Sequence, residues 1–186
     1  MAPVSKRMWE FLILALATVL VIAMAAPVAA KSGDPTPLPV NGEVSGQFSV
    51  TTEVGDRCDD SPEGKVAWAV FSYEGSGIVT HLGNTDFYGD HCSYSADGTP
   101  ETQDGTFGEG QLTLVAANGD ILRATTADGV SLSPPPLVGF QASLTFVDGG
   151  TGRFATASGA GMVPGTADLV SGELTLQLEG VISYKR

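Results

Sequence analysis

The sequence predicts an all-β protein, an eight-stranded antiparallel up-and-down β-barrel. Three observations lead to it. Apolar residues alternate with a period of two along most of the chain, and no 3.6-residue period persists for ten residues. Eight strand-like runs with one apolar face must either pair as two sheets or close on themselves. Eight is also the number at which a barrel interior is just filled by side chains, or just holds one small ligand. The placing of the two cysteines favours the closed meander.

The 186-residue chain opens with Lys6 and Arg7, an apolar run from Phe11 to Met24, and small residues at Val28 and Ala30. This is the pattern of a secretory signal peptide over residues 1–30, cleaved after Ala30. The apolar run is shorter than the roughly 20 residues of a spanning helix. Extended through residues 25–30 it reaches that length, so an uncleaved anchor is the alternative reading. About 150 residues then remain, enough for one domain. Residues 31–41 carry Pro35, Pro37 and Pro39 and read as an extended, poorly ordered lead-in. The barrel domain is expected over residues 42–186.

The first strand is expected from Glu43 to Glu53, with Val44, Phe48 and Val50 on one face. The second, Lys65 to Glu74, is apolar on both faces. Residues 74–77, "EGSG", read as a turn into a third strand from Gly77 to Tyr88. The fourth spans Thr106 to Ala117 and alternates at Leu112 and Leu114. Asn118 to Asp120 is a hairpin signal that leads into a fifth strand over Asp120 to Ala127. Pro134 to Pro136 cannot lie in a central strand and separate the fifth from the sixth. The sixth sets Val138, Phe140, Ala142, Leu144 and Phe146 on one side. The seventh is expected from Arg153 to Val163. The eighth aligns Leu174, Leu176, Leu178, Ile182 and Tyr184.

In a meander the ends of strands one and three share a rim, and Cys58 and Cys92 lie just past those ends. They are expected to form a disulfide, which suits an exported protein. Closing that loop is worth about 3–4 kcal/mol in the chain-entropy model. Two cysteines without a CxxC spacing make no structural zinc site.

A formal net charge of −12 opposes phosphate backbones and anionic membrane surfaces, so no nucleic acid is expected as a partner. Nor is a membrane, once the signal is removed. The acid gathers in loops, at Asp56, Asp59, Asp60 and Glu63, and at Asp97, Glu101 and Asp104. Neither run has the spacing of a calcium loop, and both read as solvated. No metal and no cofactor is expected.

The run Gly149 to Gly159, "GGTGRFATASG", lacks the Lys-Ser/Thr ending of a phosphate loop and precedes no helix. It resembles the G-G-T-G-x-F-x-x-A-x-G signature of the allene oxide cyclase and dirigent proteins, matching at Gly149, Gly150, Thr151, Gly152, Phe154, Ala157 and Gly159. The "THLG" of Thr80 to Gly83 and the closing "LTLQLEGVISY" look like bacterial secreted members with this barrel. The resemblance covers Asn41 to Arg186, most firmly its last third. It implies an eight-stranded antiparallel barrel with a central cavity. Plant families of this kind cyclise a fatty-acid epoxide or steer the coupling of phenolic radicals. The cavity residues of those activities lie outside the signature, so the resemblance carries the fold.

His81, placed in strand three, and Glu74 across the preceding hairpin are the acid–base candidates. His91, beside Cys92 at the rim, reads as structural or exposed. No nucleophile elbow, Cys–His pair or HExxH helix is present. The aromatic residues include Trp68, Phe71, Tyr73 and Phe87, and Trp68, Phe140, Phe146 and Tyr184 are the candidates for lining a cavity. Ala155, Ala157, Gly159 and Gly161 would form a face of small residues on strand seven. Such a face either leaves volume for a ligand or lets a neighbouring strand pack closely.

The expected function is a secreted or periplasmic barrel that binds a small hydrophobic molecule without catalysis. The alternatives are a cyclase, isomerase or dirigent-like enzyme, and a structural or homo-oligomer-forming extracellular protein.

Overall fold

The structure is a computed structural model that describes residues 36–58 and 61–185. The predicted signal, residues 1–30, and residues 31–35 of the lead-in lie outside the described residues.

Alternation of apolar and polar side chains produces eight strands: β1 (Leu38–Thr51), β2 (Val66–Val79), β3 (Gly83–Ser95), β4 (Gln103–Val115), β5 (Ile121–Ser131), β6 (Leu137–Val147), β7 (Ser158–Asp168) and β8 (Glu173–Ser183). Each pairs antiparallel with its successor, and β1 pairs with β8 to close the barrel. Val44 of β1 lies opposite Gly77 of β2 on one side and Leu176 of β8 on the other. The interior residues predicted for β6 and β8 do face inward. Ala142, Leu144, Phe146, Leu178 and Ile182 join Val40, Val44, Val79, Phe87, Leu112, Leu114 and Leu122 in one buried core. Among the described residues, no helix is long and apolar enough to cross a membrane.

Most strand bounds differ from expectation, by three or four residues at the start of β4 and the end of β5 and by more in four strands. β1 begins at Leu38, so the end of the Pro-rich lead-in belongs to the barrel: Leu38–Asn41 pair with Glu179–Ile182, and Val40 is fully buried. β2 runs straight through the predicted "EGSG" turn to Val79, and the chain reverses at residues 80–82. The glycines there serve close approach rather than turning. A Cβ on Gly77 would run into the carbonyl oxygen of Glu43 on β1. β3 is therefore displaced toward the C-terminus and includes His91 and Cys92. β7 starts at Ser158, because Gly152–Phe154 form a short 3₁₀ turn before it.

The Cys58–Cys92 disulfide forms, spanning 34 residues. Cys92 lies within β3, not past its end. The bridge, with Ala67, Val70 and Tyr94, makes a second small apolar cluster where the connection after β1 folds back onto the wall.

One end of the barrel carries the connections between β1 and β2, β3 and β4, β5 and β6, and β7 and β8. The opposite end carries the turns at 80–82 and 116–120, the segment 148–157 and both termini of the sheet.

Candidate functional site

The segment that carries the family-like signature closes one end of the barrel. Gly149 and Gly152 have φ of 97° and 55°, the left-handed region that glycine enters without strain. Gly150 lies against the backbone of Ile121 and Phe154, where a side chain would clash. Thr151 locks the segment to β5: its N–H donates to Ile121 O at 2.9 Å, and its Oγ1 accepts from Ile121 N–H at 2.8 Å. This delivers Phe154 into the barrel with no exposed surface, edge-on to Tyr184 at 5.0 Å between ring centroids. Ala157 is fully buried beside it.

Arg153 is not simply exposed. Its guanidinium donates to the backbone oxygen of His81, lies 4.9 Å over the Phe154 ring, and is 3.9 Å from the Asp120 carboxylate. Gly159, like Gly161, faces inward but opens no space for a ligand. A side chain at either position would strike the backbone of β8. Every matched residue of the signature thus has a structural duty at the closed end.

The acid–base candidates do not meet. His81 sits in the turn at 80–82 with φ of 67°, not in β3, and its Nε2 lies 3.0 Å from Pro39 O. Glu74 is exposed on the outer wall, between Gln47 of β1 and Tyr88 of β3. Neither lines the interior cavity.

That cavity occupies the other half of the barrel and measures about 560 Å³. Trp68 and Phe140 line it. Phe146 and Tyr184 do not: Phe146 is packed in the core, and Tyr184 is packed under the plug. The remaining wall includes Phe48, Phe71, Tyr73, His91 and Phe107, with Leu174 and Leu176 from β8. The mouth is bordered by Leu132 to Pro135, by Leu169, and by Asp104, which is ion-paired to Lys65.

His91 is the hub of the aromatic wall. It stacks on Phe71 at 5.3 Å with an interplanar angle of 6°. It also meets Phe107 at 4.6 Å and Tyr73 at 5.9 Å. Phe107 in turn stands edge-on to Phe140. Parity puts it there: Phe87, Gly89 and His91 share the inward side of β3, while Asp90 and Cys92 point outward. The expectation of a rim histidine fails because the third strand runs on past Tyr88 to Ser95. Counting on from Phe87 would have found it. Phe107 was missed for a different reason. A β-bulge at Glu109, whose φ is 49°, breaks the alternation that leads back from Leu112.

The electrostatics of the wall favour neutral groups. Burial pushes His91 down to about 4, against the raising influence of Asp90, and Arg57 lowers it further. Burial likewise raises the Tyr73 hydroxyl well above its usual range, with Asp90 adding to the effect. Both are therefore uncharged at neutral pH. Arg57 lies outside the barrel, where it bonds the Asp90 carboxylate and the carbonyl of Glu109. Among the described residues, no group of histidine, cysteine and acidic side chains could hold a metal ion.

The arrangement can enclose an apolar, ring-bearing molecule and offer it neutral polar contacts, Tyr73 and His91 among them. The chain matches no family model, no curated protein and no solved structure, so the cavity is read from its own geometry.

Proposed function

We propose that this protein is an exported barrel of the allene oxide cyclase/dirigent type that binds a small apolar molecule in its cavity without catalysing a reaction on it. The observation that carries the proposal is the aromatic-walled space of about 560 Å³. Its volume falls in the range of sites for small organic ligands, and such sites combine apolar walls with a few polar groups. The Cys58–Cys92 disulfide supports an oxidising, extracytoplasmic location. The barrel and the structural duties of Gly149, Gly150, Thr151, Gly152, Phe154, Ala157 and Gly159 support the family reading. They assign that signature to closing the barrel rather than to chemistry.

The test is a titration with N-phenyl-1-naphthylamine, an uncharged fluorophore that brightens in apolar surroundings. Saturable, blue-shifted emission is expected. Ala167→Trp, which builds an indole into the cavity wall, should abolish it while the far-ultraviolet circular dichroism stays the same. Unsaturable emission, or emission that survives Ala167→Trp, defeats the proposal.

A further inference from the structure

We propose that the cavity selects uncharged, planar aromatic molecules that carry a carbonyl-type acceptor oxygen, which Tyr73 and His91 receive, and that it rejects carboxylates. This rests on the reading of the cavity as a binding site and adds the chemistry of its occupant.

Shape supplies the first part of the argument. Phe71, His91, Phe107 and Phe140 form a continuous run of ring contacts at centroid distances between 4.6 and 5.9 Å. Flat ring systems present their faces and edges to such a wall at the separations that aromatic pairs prefer.

Hydrogen bonding supplies the second. Among the described residues, neither the Tyr73 hydroxyl nor the ring nitrogens of His91 have a protein partner. Yet only Trp68 Nε1 and Arg153 Nε are sealed away without one. Both residues line the cavity, and these unsealed atoms are taken to face it. A hydroxyl and a neutral imidazole N–H are both donors, and a ligand acceptor oxygen between them satisfies both. An all-hydrocarbon occupant would strip water from these groups and return nothing, at a cost comparable to a lost hydrogen bond.

Charge supplies the third. No lysine or arginine lines the cavity. The Arg57 guanidinium, on the outer wall, is already committed to Asp90. At the mouth, Lys65 is likewise committed to Asp104. A carboxylate entering this space would lose its hydration with no counter-charge, which is far costlier than burying a neutral carbonyl. His91 supplies no compensating charge, because burial holds it neutral down to about pH 4.

The test uses three matched probes: 2-ethylnaphthalene, 2-acetylnaphthalene and 2-naphthoate. Each competes with bound N-phenyl-1-naphthylamine at pH 7.5. The ketone should bind about tenfold tighter than the hydrocarbon, despite being the more water-soluble, because one hydrogen bond to a desolvated donor is worth about that factor. The naphthoate should bind at least about tenfold more weakly than the hydrocarbon. In the Tyr73→Phe/His91→Phe double variant the advantage of the ketone should disappear. A ketone no tighter than the hydrocarbon in the wild-type protein overturns the inference, and so does a naphthoate that binds best. Both outcomes leave the cavity reading intact. If the reporter dye itself does not bind saturably, the cavity reading falls and this inference falls with it.

Discussion

His91 is a base that folding keeps uncharged. In the unfolded chain it titrates near its ordinary value of 6.5, and in the barrel burial pushes it to about 4. As pH falls below 6.5, the unfolded chain therefore takes up the proton first. Stability is complete above pH 6.5 and drains away down to about pH 4. Between pH 7 and pH 5 the loss should be about 2 kcal/mol. Urea unfolding at the two pH values checks this, and His91→Phe, which keeps the stack on Phe71, should remove most of the difference. An equal pH dependence in the variant would show that burial does not hold the ring neutral. Asp97 and Asp168 shift the opposite way, held below the usual carboxylate range mainly by hydrogen bonds from Thr102 and Val170. Their contributions fade only in stronger acid. Phe154 makes the complementary residue-level case. It is fully buried among groups fixed by backbone hydrogen bonds, so the site cannot collapse around a smaller side chain. Phe154→Ala should cost about 3–5 kcal/mol in equilibrium unfolding.

Among the elements, the connection between β1 and β2 depends most on a covalent tie. Its described residues form a 3₁₀ turn at Gly55–Cys58, and it is held to β3 by the disulfide and by Arg57 on Asp90. Replacing both cysteines by alanine should lower stability by about 3–4 kcal/mol, read from the denaturation midpoint. The wall of β3 that carries His91 should be the first region to lose amide-exchange protection. The elements also show where sequence reasoning succeeds. β6 and β8 alternate without interruption, so their inward faces were legible residue by residue. β2 misled because "EGSG" has turn composition, whereas its inward glycines exist to let β1 cross closely. That requirement belongs to the partner strand and leaves no mark on β2's own periodicity. The error then displaced β3 and, with it, His81 and His91.

For the molecule as a whole, closure is the decisive feature, because a closed barrel leaves no edge strand unpaired. Its seam is β1 against β8, from Leu38 opposite Ile182 to Gln47 opposite Glu173. Val40, at the start of that seam, is fully buried, whereas Val50, near the end of the same strand, is 46% exposed. Val40→Asp should therefore unfold or aggregate the protein, while Val50→Asp should shift the thermal midpoint by only a few degrees. Equal effects at the two positions would mean that the seam does not hold the barrel shut.

The number of strands, their antiparallel order and the pairing of Cys58 with Cys92 could all be read along the chain. Each rests on local alternation, turn composition or a redox rule that needs no knowledge of distant partners. The division of the interior into a plugged half and a hollow half could not. Whether Phe146 fills a core or Phe140 faces a space depends on how far the 148–157 segment reaches inside. Whether His91 meets Phe71, Tyr73 and Phe107 depends on the register between β2, β3 and β4, together with the bulges that reset it. Those are properties of strands crossing one another, and they arise only when the sheet closes.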